Sequence, residues 1–547
     1  MRMRFSVFFV PLLLIGAFAV SATAQTITAN SCSQSDVQKA FSSVTASTTT
    51  IVIPSCPSGV TWNNSNGTVS LTVPSGSSGL TVQGQSSCTG QGNPSGSTSG
   101  VVSCTDNTLI LNGSSYNSSN DIPIFAVTTQ TGVPFRMTGL SFQGNGTTQT
   151  YNGAIVIGGS SCQVRVDHND FRNLNAMMLT VNSYGGCGVV DHNAFDYTSS
   201  VNIGFRIQGS GSNDWGGNYP WAAATSFGTQ KGWWYFEDNY VQHAGPDCDR
   251  GGKFVMRYNT FTSASSGEAQ FGTTHPTGEP GGAIRGCRAE EIYGNSFVVP
   301  SGTTMSQWWW ISSGTAVFWN NTVTPNGMQV GYVFDSMRRS NATYSQSSTP
   351  NGWGYCGSAF DGTGSSWDQD ATSASTGYRC LDQPGTGQSD LLTPGGNFPS
   401  IVNTVTGTVS WPHQKSEPVY DWSNDLGLVR GGTYFRDATN ESGSFVANSD
   451  YYLWCNSSSA TGCTSFDGSA GVGSGPLASM PSTGKQGVGY FATDQGSQGQ
   501  LYVYNSSGDP AVYYTPLSYP HPLVSGLSAN SNSQPSPPTG LVGTVVQ

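Results

Sequence analysis

Charge is what this chain has least of. Lys and Arg number 20 and Asp and Glu 31 among 547 residues, 9% in all. Solvent-facing helices are normally rich in such residues, so a protein built mainly of surface helices is excluded. Histidine is rarer still, at 6, and no tight Cys-x-x-Cys or His-x-x-x-His spacing occurs. That argues against a structural zinc site. No nucleotide or redox-cofactor motif is present. Beyond residue 20 no long apolar run remains, so no membrane-spanning helix is expected. The net charge of −11 repels polyanions, which excludes nucleic acid as an expected partner.

The apolar run that does exist, Phe5 to Val20, follows Arg2 and Arg4 and precedes the small-x-small triplet Ala22-Thr23-Ala24. This is the pattern of a secretion signal. The mature chain is expected to begin at Gln25 and to be secreted, periplasmic or held at the cell surface. Glycine is abundant, at 71 residues, which favours strands and turns. Twelve cysteines all follow the signal, and in an exported chain they read as disulfides. Neighbouring pairs are expected: Cys32–Cys56, Cys88–Cys104, Cys162–Cys187, Cys248–Cys287, Cys356–Cys380 and Cys455–Cys463.

A short pattern recurs through the middle of the chain. Val166-Asp-His-Asn169-Asp-Phe171 returns around Asn193, Asn239, Asn259, Asn295 and Asn321. Each copy has an apolar residue, two variable ones, an Asn, a spacer and a second apolar residue. The Asn-to-Asn steps are 24, 46, 20, 36 and 26. A period of this length marks a solenoid, with the wider steps being a skipped coil or an inserted loop. Asn suits a recurring bend because its amide bonds local backbone and it tolerates left-handed geometry. Piled at one corner, such residues can form an amide ladder.

Residues 33–43 carry the one clear helix signal. Ser33, Ser35 or Asp36 can cap it, and Val37, Ala40 and Phe41 make an apolar stripe. Strand-like runs follow at 50–54, 69–73 and 80–83. Asp36-Val-Gln-Lys-Ala-Phe41, Ile51-Val-Ile-Pro54, Trp62 and Gly79-Leu-Thr-Val-Gln-Gly84 resemble the opening of secreted right-handed parallel β-helix proteins of the pectate-lyase-like superfamily. The Asn repeats resemble its central coils, so the resemblance spans roughly residues 30–340. It implies an all-β fold: a right-handed, single-stranded parallel β-helix with an N-terminal helical cap. The expected layout is a signal at 1–24 and the β-helix with its cap at 25–410, including a long loop excursion at about 340–410. A strand-rich C-terminal lid or cap follows at 411–525, and a flexible tail at 526–547. A solenoid with covered ends can be a monomer.

The resemblance says little about activity, because lyases, hydrolases, esterases and non-catalytic spikes share the fold. The charge distribution says more. Residues 237–291 hold a large share of the ionisable groups. Two reactions could use them. Cleavage of a uronate polysaccharide by β-elimination needs a cation on the sugar carboxylate and a base. Asp247, Asp249 and Glu268 could hold Ca²⁺, which takes oxygen ligands. Lys253, Arg250, Arg285, Arg288 or His275 could serve as base or carboxylate holder. Hydrolysis of a neutral glycan needs two carboxyl groups, which Asp247 or Asp249 with Glu268 or Glu290 would supply. The shared occurrence of bases and carboxylates tips the expectation slightly toward the lyase. Trp233, Trp234, Trp308, Trp309 and Trp310 are candidate sugar platforms. If strand alternation holds, Trp309 should face opposite to Trp308 and Trp310. A carbohydrate-binding or adhesive solenoid without catalysis is the third reading, and a polysaccharide is the expected partner in all three.

Overall fold

The computed structural model describes residues 24–93, 99–115, 122–150, 153–183, 185–197, 202–209, 224–262, 271–274, 286–299, 304–311, 313–324, 329–335, 372–373, 377–378, 384–387, 415–426, 428–429, 435–436, 446–455, 463 and 465–526. The expected signal, the C-terminal tail and the Cys356–Cys380 pair lie outside these residues, as does most of the excursion at 340–410.

The protein is nearly all β and is built on three long sheets, of twelve, nine and eleven strands, here called A, B and C. Successive strands visit them in a fixed order. Val164–Asp167 lies in A, Asp170–Arg172 in B and Leu179–Asn182 in C. Gly188–Asp191, Ala194–Asp196 and Asn202–Gln208 then return to A, B and C. The cycle continues through Trp234–Glu237, Tyr240–Gln242 and Ala244–Asp249, and onward to Gln329–Asp335. Each strand pairs in parallel with its counterpart one cycle away, for example Val166 with Val190 and Val190 with Phe236. This arrangement is compatible with an all-β parallel solenoid.

The in-register pairing piles like on like in the interior. Phe142, Phe171 and Phe195 stack at centroid separations of 5.8 and 4.9 Å. Phe261 and Phe297 do the same at 5.2 Å. Alternating residues of sheet A, such as Val166, Val190, Phe236, Met256, Ile292 and Phe318, are buried in this core. Their apolar side chains explain why these segments form strands with one face inward.

The Asn residues form a ladder at the corner between sheets A and B. The Nδ2 of Asn169 donates to Oδ1 of Asn193, and the chain of amide bonds runs on through Asn239, Asn259, Asn295 and Asn321 at 2.9–3.0 Å per step. Asn424 extends it by one rung, accepting from Asn321 at 2.8 Å. The same Oδ1 also accepts the backbone N–H of the preceding rung. The left-handed residue is not the Asn itself but the one before it: His168, His192, Asp238, Tyr258, Gly294, Asn320 and Ser423 have φ of 52 to 65°. The corner therefore divides the labour. One residue makes the bend and the next satisfies the buried polar groups that the bend exposes.

A helix, Gln34–Ser42, packs on Val69–Thr72, the first strand of sheet C, through Val37, Ala40 and Phe41. Ser33 caps it by accepting from the Asp36 N–H. Sheet A begins earlier than the sequence pattern indicated. Gln25–Thr28 forms a strand beside Thr48–Val52, although its threonines carry little apolar signal.

Five disulfides join the expected neighbours: Cys32–Cys56, Cys88–Cys104, Cys162–Cys187, Cys248–Cys287 and Cys455–Cys463. Cys88–Cys104 closes a hairpin of Ser87–Thr89 and Ser103–Thr105. Gly92 and Asn93, which follow the first of these strands, lie along the Asn corner. Gly92 N–H donates to Asp238 O, Asn93 N–H to Tyr258 O, and Asn93 Nδ2 to Gly294 O. Glycine is required at 92, since a Cβ there would lie 2.3 Å from the Asn239 oxygen.

At the other end of the sequence, a four-stranded mixed sheet forms from Val472–Gly475, Gly489–Ala492, Gln500–Tyr504 and Pro510–Tyr514. It covers the outer face of sheet A. Val488, Phe491, Leu501 and Tyr514 pack there with Tyr235, Val255, Tyr293, Val317, Trp319, Tyr420 and Trp422 in a second apolar cluster.

Replacing Asn259 with Ala removes one rung and leaves buried donors and acceptors unpaired on both neighbours. The expected loss is about 2–4 kcal/mol of unfolding free energy, read from urea denaturation.

Candidate functional site

Among the described residues, the ionisable groups singled out in the sequence do not all meet in one place. Glu290 belongs to an inward-facing column of sheet A, between Phe254 and Ala316. Its Oε2 accepts from Trp309 Nε1 at 2.8 Å, and burial pushes its carboxyl up to about 8. It is an interior group and cannot touch a substrate on an outer face. Lys253 lies on the outer side of sheet A, 5.2 Å from the Trp233 ring centre. Burial, reinforced by the Arg288 charge, lowers its ammonium to about 8. Arg288 is fully buried and pairs with Glu417 at 2.5 Å. Glu268, His275 and Arg285 lie outside the described residues.

The tryptophans divide in the same way. Trp234, Trp308 and Trp309 belong to the interior core, and Trp233 to the cluster beneath the C-terminal sheet. The expected alternation of Trp308 and Trp309 does not hold, because both are buried. Trp308 stacks on Phe271 at 4.8 Å. Trp309 occupies space left by Gly272 on the adjacent strand, where a Cβ would come within 2.3 Å of the ring. Of the five, only Trp310 is left half-buried.

What remains together is on the outer face of sheet C. Cys248 points into the core, so Asp247 and Asp249 on the strand Ala244–Asp249 point out. Arg206, on the adjacent strand Asn202–Gln208, pairs in register with Asp247. Its Nη2 bonds Asp249 Oδ2, and its Nε lies 3.5 Å from Asp247 Oδ2. Arg250 stands at the end of the same strand, with Nε 3.9 Å from Asp249 Oδ2 and the side chain 32% exposed. Asp247, Asp249 and Arg206 are buried.

Rows of side chains lead away from this group. Pairing places Asn182, Gln208 and Asp249 in one column, and Thr180, Arg206, Asp247, Thr273 and Trp310 in another. Asn182 and Gln208 are half-buried.

No protein-family model, curated protein or solved structure matches this chain. The site therefore stands on its own geometry.

Among the described residues that geometry does not fit Ca²⁺, and Glu268, the third expected ligand, lies outside them. The guanidinium of Arg206 already lies against both Asp247 and Asp249 and offsets part of their charge. Among the described residues, no group of three His, Cys, Asp or Glu side chains is placed to hold a metal. Arg206 was not singled out in the sequence. It is a lone charge in an apolar run, and only its register with Asp247 gives it meaning.

A second set of buried charges lies on the outer face of sheet A and is structural. Arg257 pairs with Glu237 at 2.6 Å and donates to Tyr293 Oη and to the carbonyls of Leu517 and Ser518. Arg165 pairs with Asp191 at 2.8 Å and donates to Val524 O. Near them, His168 and His192 stack at 5.1 Å, each with Nδ1 on its own neighbouring Asp carboxylate.

Arg257→Met strands the Glu237 carboxylate in the seam, and the expected cost is about 3–5 kcal/mol. Adding Glu237→Gln should recover most of it. Denaturant unfolding of the single and double variants measures both effects.

Proposed function

We propose that this protein is an exported right-handed parallel β-helix of the pectate-lyase-like kind, and that it hydrolyses a neutral polysaccharide on the outer face of sheet C. The fold assignment draws on the repeated A, B, C strand order, the amide ladder at one corner and the near-universal right-handedness of parallel crossovers. Export draws on the signal-like start of the chain and on its disulfides.

One observation carries the activity: Asp247 and Asp249 project from the same side of one strand, bridged by Arg206. Two residues along a strand span about 6.6 Å. An inverting glycosidase places its acid and base about 6.5–9.5 Å apart, which leaves room for a water molecule. One carboxyl group protonates the departing glycosidic oxygen and the other draws a proton from that water. Arg206 holds the pair in place, and in a buried setting such fixed charges act more strongly than in water.

The surroundings suit an uncharged sugar. Two aspartates and two arginines, 206 and 250, sum to no net charge. Gln208 and Asn182 offer amide groups to hydroxyls, and Trp310 offers an aromatic surface. Of the bases expected for β-elimination on a uronate, Lys253 and Arg288 lie away from this face, and Arg250, which is at it, stands beside Asp249.

A panel of neutral and uronate polysaccharides tests the reading. Hydrolysis yields new reducing ends without the ultraviolet absorbance of an unsaturated product. Asp249→Asn and Asp247→Asn are each expected to lower kcat by about 10²–10⁴-fold while the fold persists. Full activity in both variants overturns the site. An absorbing product overturns the reaction, and binding without cleavage returns the protein to the adhesive class.

A further inference from the structure

The C-terminal segment 514–524 crosses the outer face of sheet A and is fastened there in two chemically different ways. One is through ion-paired side chains. Arg257 donates to Leu517 O and Ser518 O, and Arg165 to Val524 O. Glu237, which is paired with Arg257, accepts the His521 N–H at 2.7 Å. The other way rests on two carboxyl groups that have no ion-pair partner among the described residues. Glu291 accepts from Tyr514 Oη at 2.9 Å and from the Gly228 N–H at 2.6 Å. Asp238 accepts from Tyr519 Oη at 2.8 Å through Oδ1, while its Oδ2 is buried with no hydrogen-bond partner. Both side chains are fully buried.

We propose that residues 514–524 form a pH-operated clamp: protonated Glu291 and Asp238 keep the segment seated on sheet A, and loss of their protons loosens it. A buried carboxylate held only by neutral donors keeps its charge at high cost, whereas a carboxylic acid in the same place does not. Both tyrosine hydroxyls can turn to accept as well as donate, so they serve the protonated form equally well. Oδ2 of Asp238, which accepts no hydrogen bond, can carry its proton.

The charged neighbours of each group are few. Glu291 faces Arg257, Lys253, Tyr235 and Tyr293 from sheet A, and Tyr514 from the C-terminal sheet. Asp238 faces Glu237, Asp191, His192 and Tyr258 from sheet A and its corner, and Tyr519 from the segment. Burial comes first for both and pushes each up to about 7. Glu237 adds to the rise at Asp238.

The sign follows from linkage. A carboxyl group raised in the docked state favours docking below its free value, and that contribution is lost as pH climbs through the docked value, here about 7. His521 works in the opposite direction. Burial, with the Arg257 and Arg165 charges, holds its ring neutral and depresses its basicity, so its contribution is lost as pH falls below the ordinary imidazole range. Two carboxyl groups outweigh one imidazole, and the net effect of rising pH is release.

Hydrogen exchange of the 514–524 amides in the full chain tests the clamp, after correction for the intrinsic effect of pH on exchange. The opening equilibrium is expected to rise at least about tenfold between about pH 5.5 and about pH 7.5. The double variant Glu291→Gln, Asp238→Asn should no longer open as pH rises over that range, any dependence left being the opposite one of His521, with the Asn-ladder amides still protected. A wild-type profile that does not change with pH overturns the proposal. So does a double variant that retains the wild-type dependence. Should the double variant fail to fold, the wild-type profile and Asp238→Asn alone decide, since that single change should remove part of the slope.

Discussion

Every other feature of this protein depends on strand pairing that holds successive windings in the same register. Parallel pairing alone does not fix that register, because a slip of one residue would turn every inward side chain outward. The amide column from Asn169 to Asn424 resists such a slip. Each Oδ1 accepts from both the side chain and the backbone of the preceding rung. A rung displaced along the chain loses both bonds inside a dry corner. The flat phenylalanine stacks reinforce the arrangement, since they too are matched only in one alignment.

With the register fixed, the outer faces of sheets A and C and the corner between A and B have different fates. Sheet A carries a seam in which ion pairs and tyrosines lie beneath the C-terminal sheet. Buried ion pairs contribute little net stability compared with apolar packing, yet removing one partner is costly. They therefore give the seam specificity of placement more than strength. The corner between sheets A and B is crossed by the hairpin around Gly92. Sheet C carries Asp247, Asp249 and Arg206, and the C-terminal sheet lies over sheet A.

The sequence made the period visible because Asn is conspicuous and its apolar flanks recur. It also disclosed the short N-terminal helix and five of the disulfide pairs, since an apolar stripe and neighbouring cysteines are local signals. Asn424 escaped notice because Asp421 stands where the other copies have an apolar residue, and because 103 residues separate it from Asn321. The strand Gln25–Thr28 escaped because a single apolar residue, Ile27, between two threonines is too short a signal. Site residues were the least legible part. Nearness in number grouped Lys253, Arg288 and Glu290 with Asp249, although the fold sends them to different surfaces. Whether a side chain points in or out depends on strand phase, and one corner residue reverses it. Arg206 shows the converse. It lies 41 positions from Asp247, yet pairing makes the two neighbours.

The hairpin that places Asn93 against Gly294 joins parts of the chain 201 residues apart. During synthesis its residues emerge long before the windings it will fasten. Its own disulfide can close early, because that loop is short and local, but its docking groove does not exist until at least four more windings have been laid down. The molecule is thus fastened from its beginning by a buckle whose catch is made much later. An assembly arrested before residue 294 would leave that loop without part of its seat.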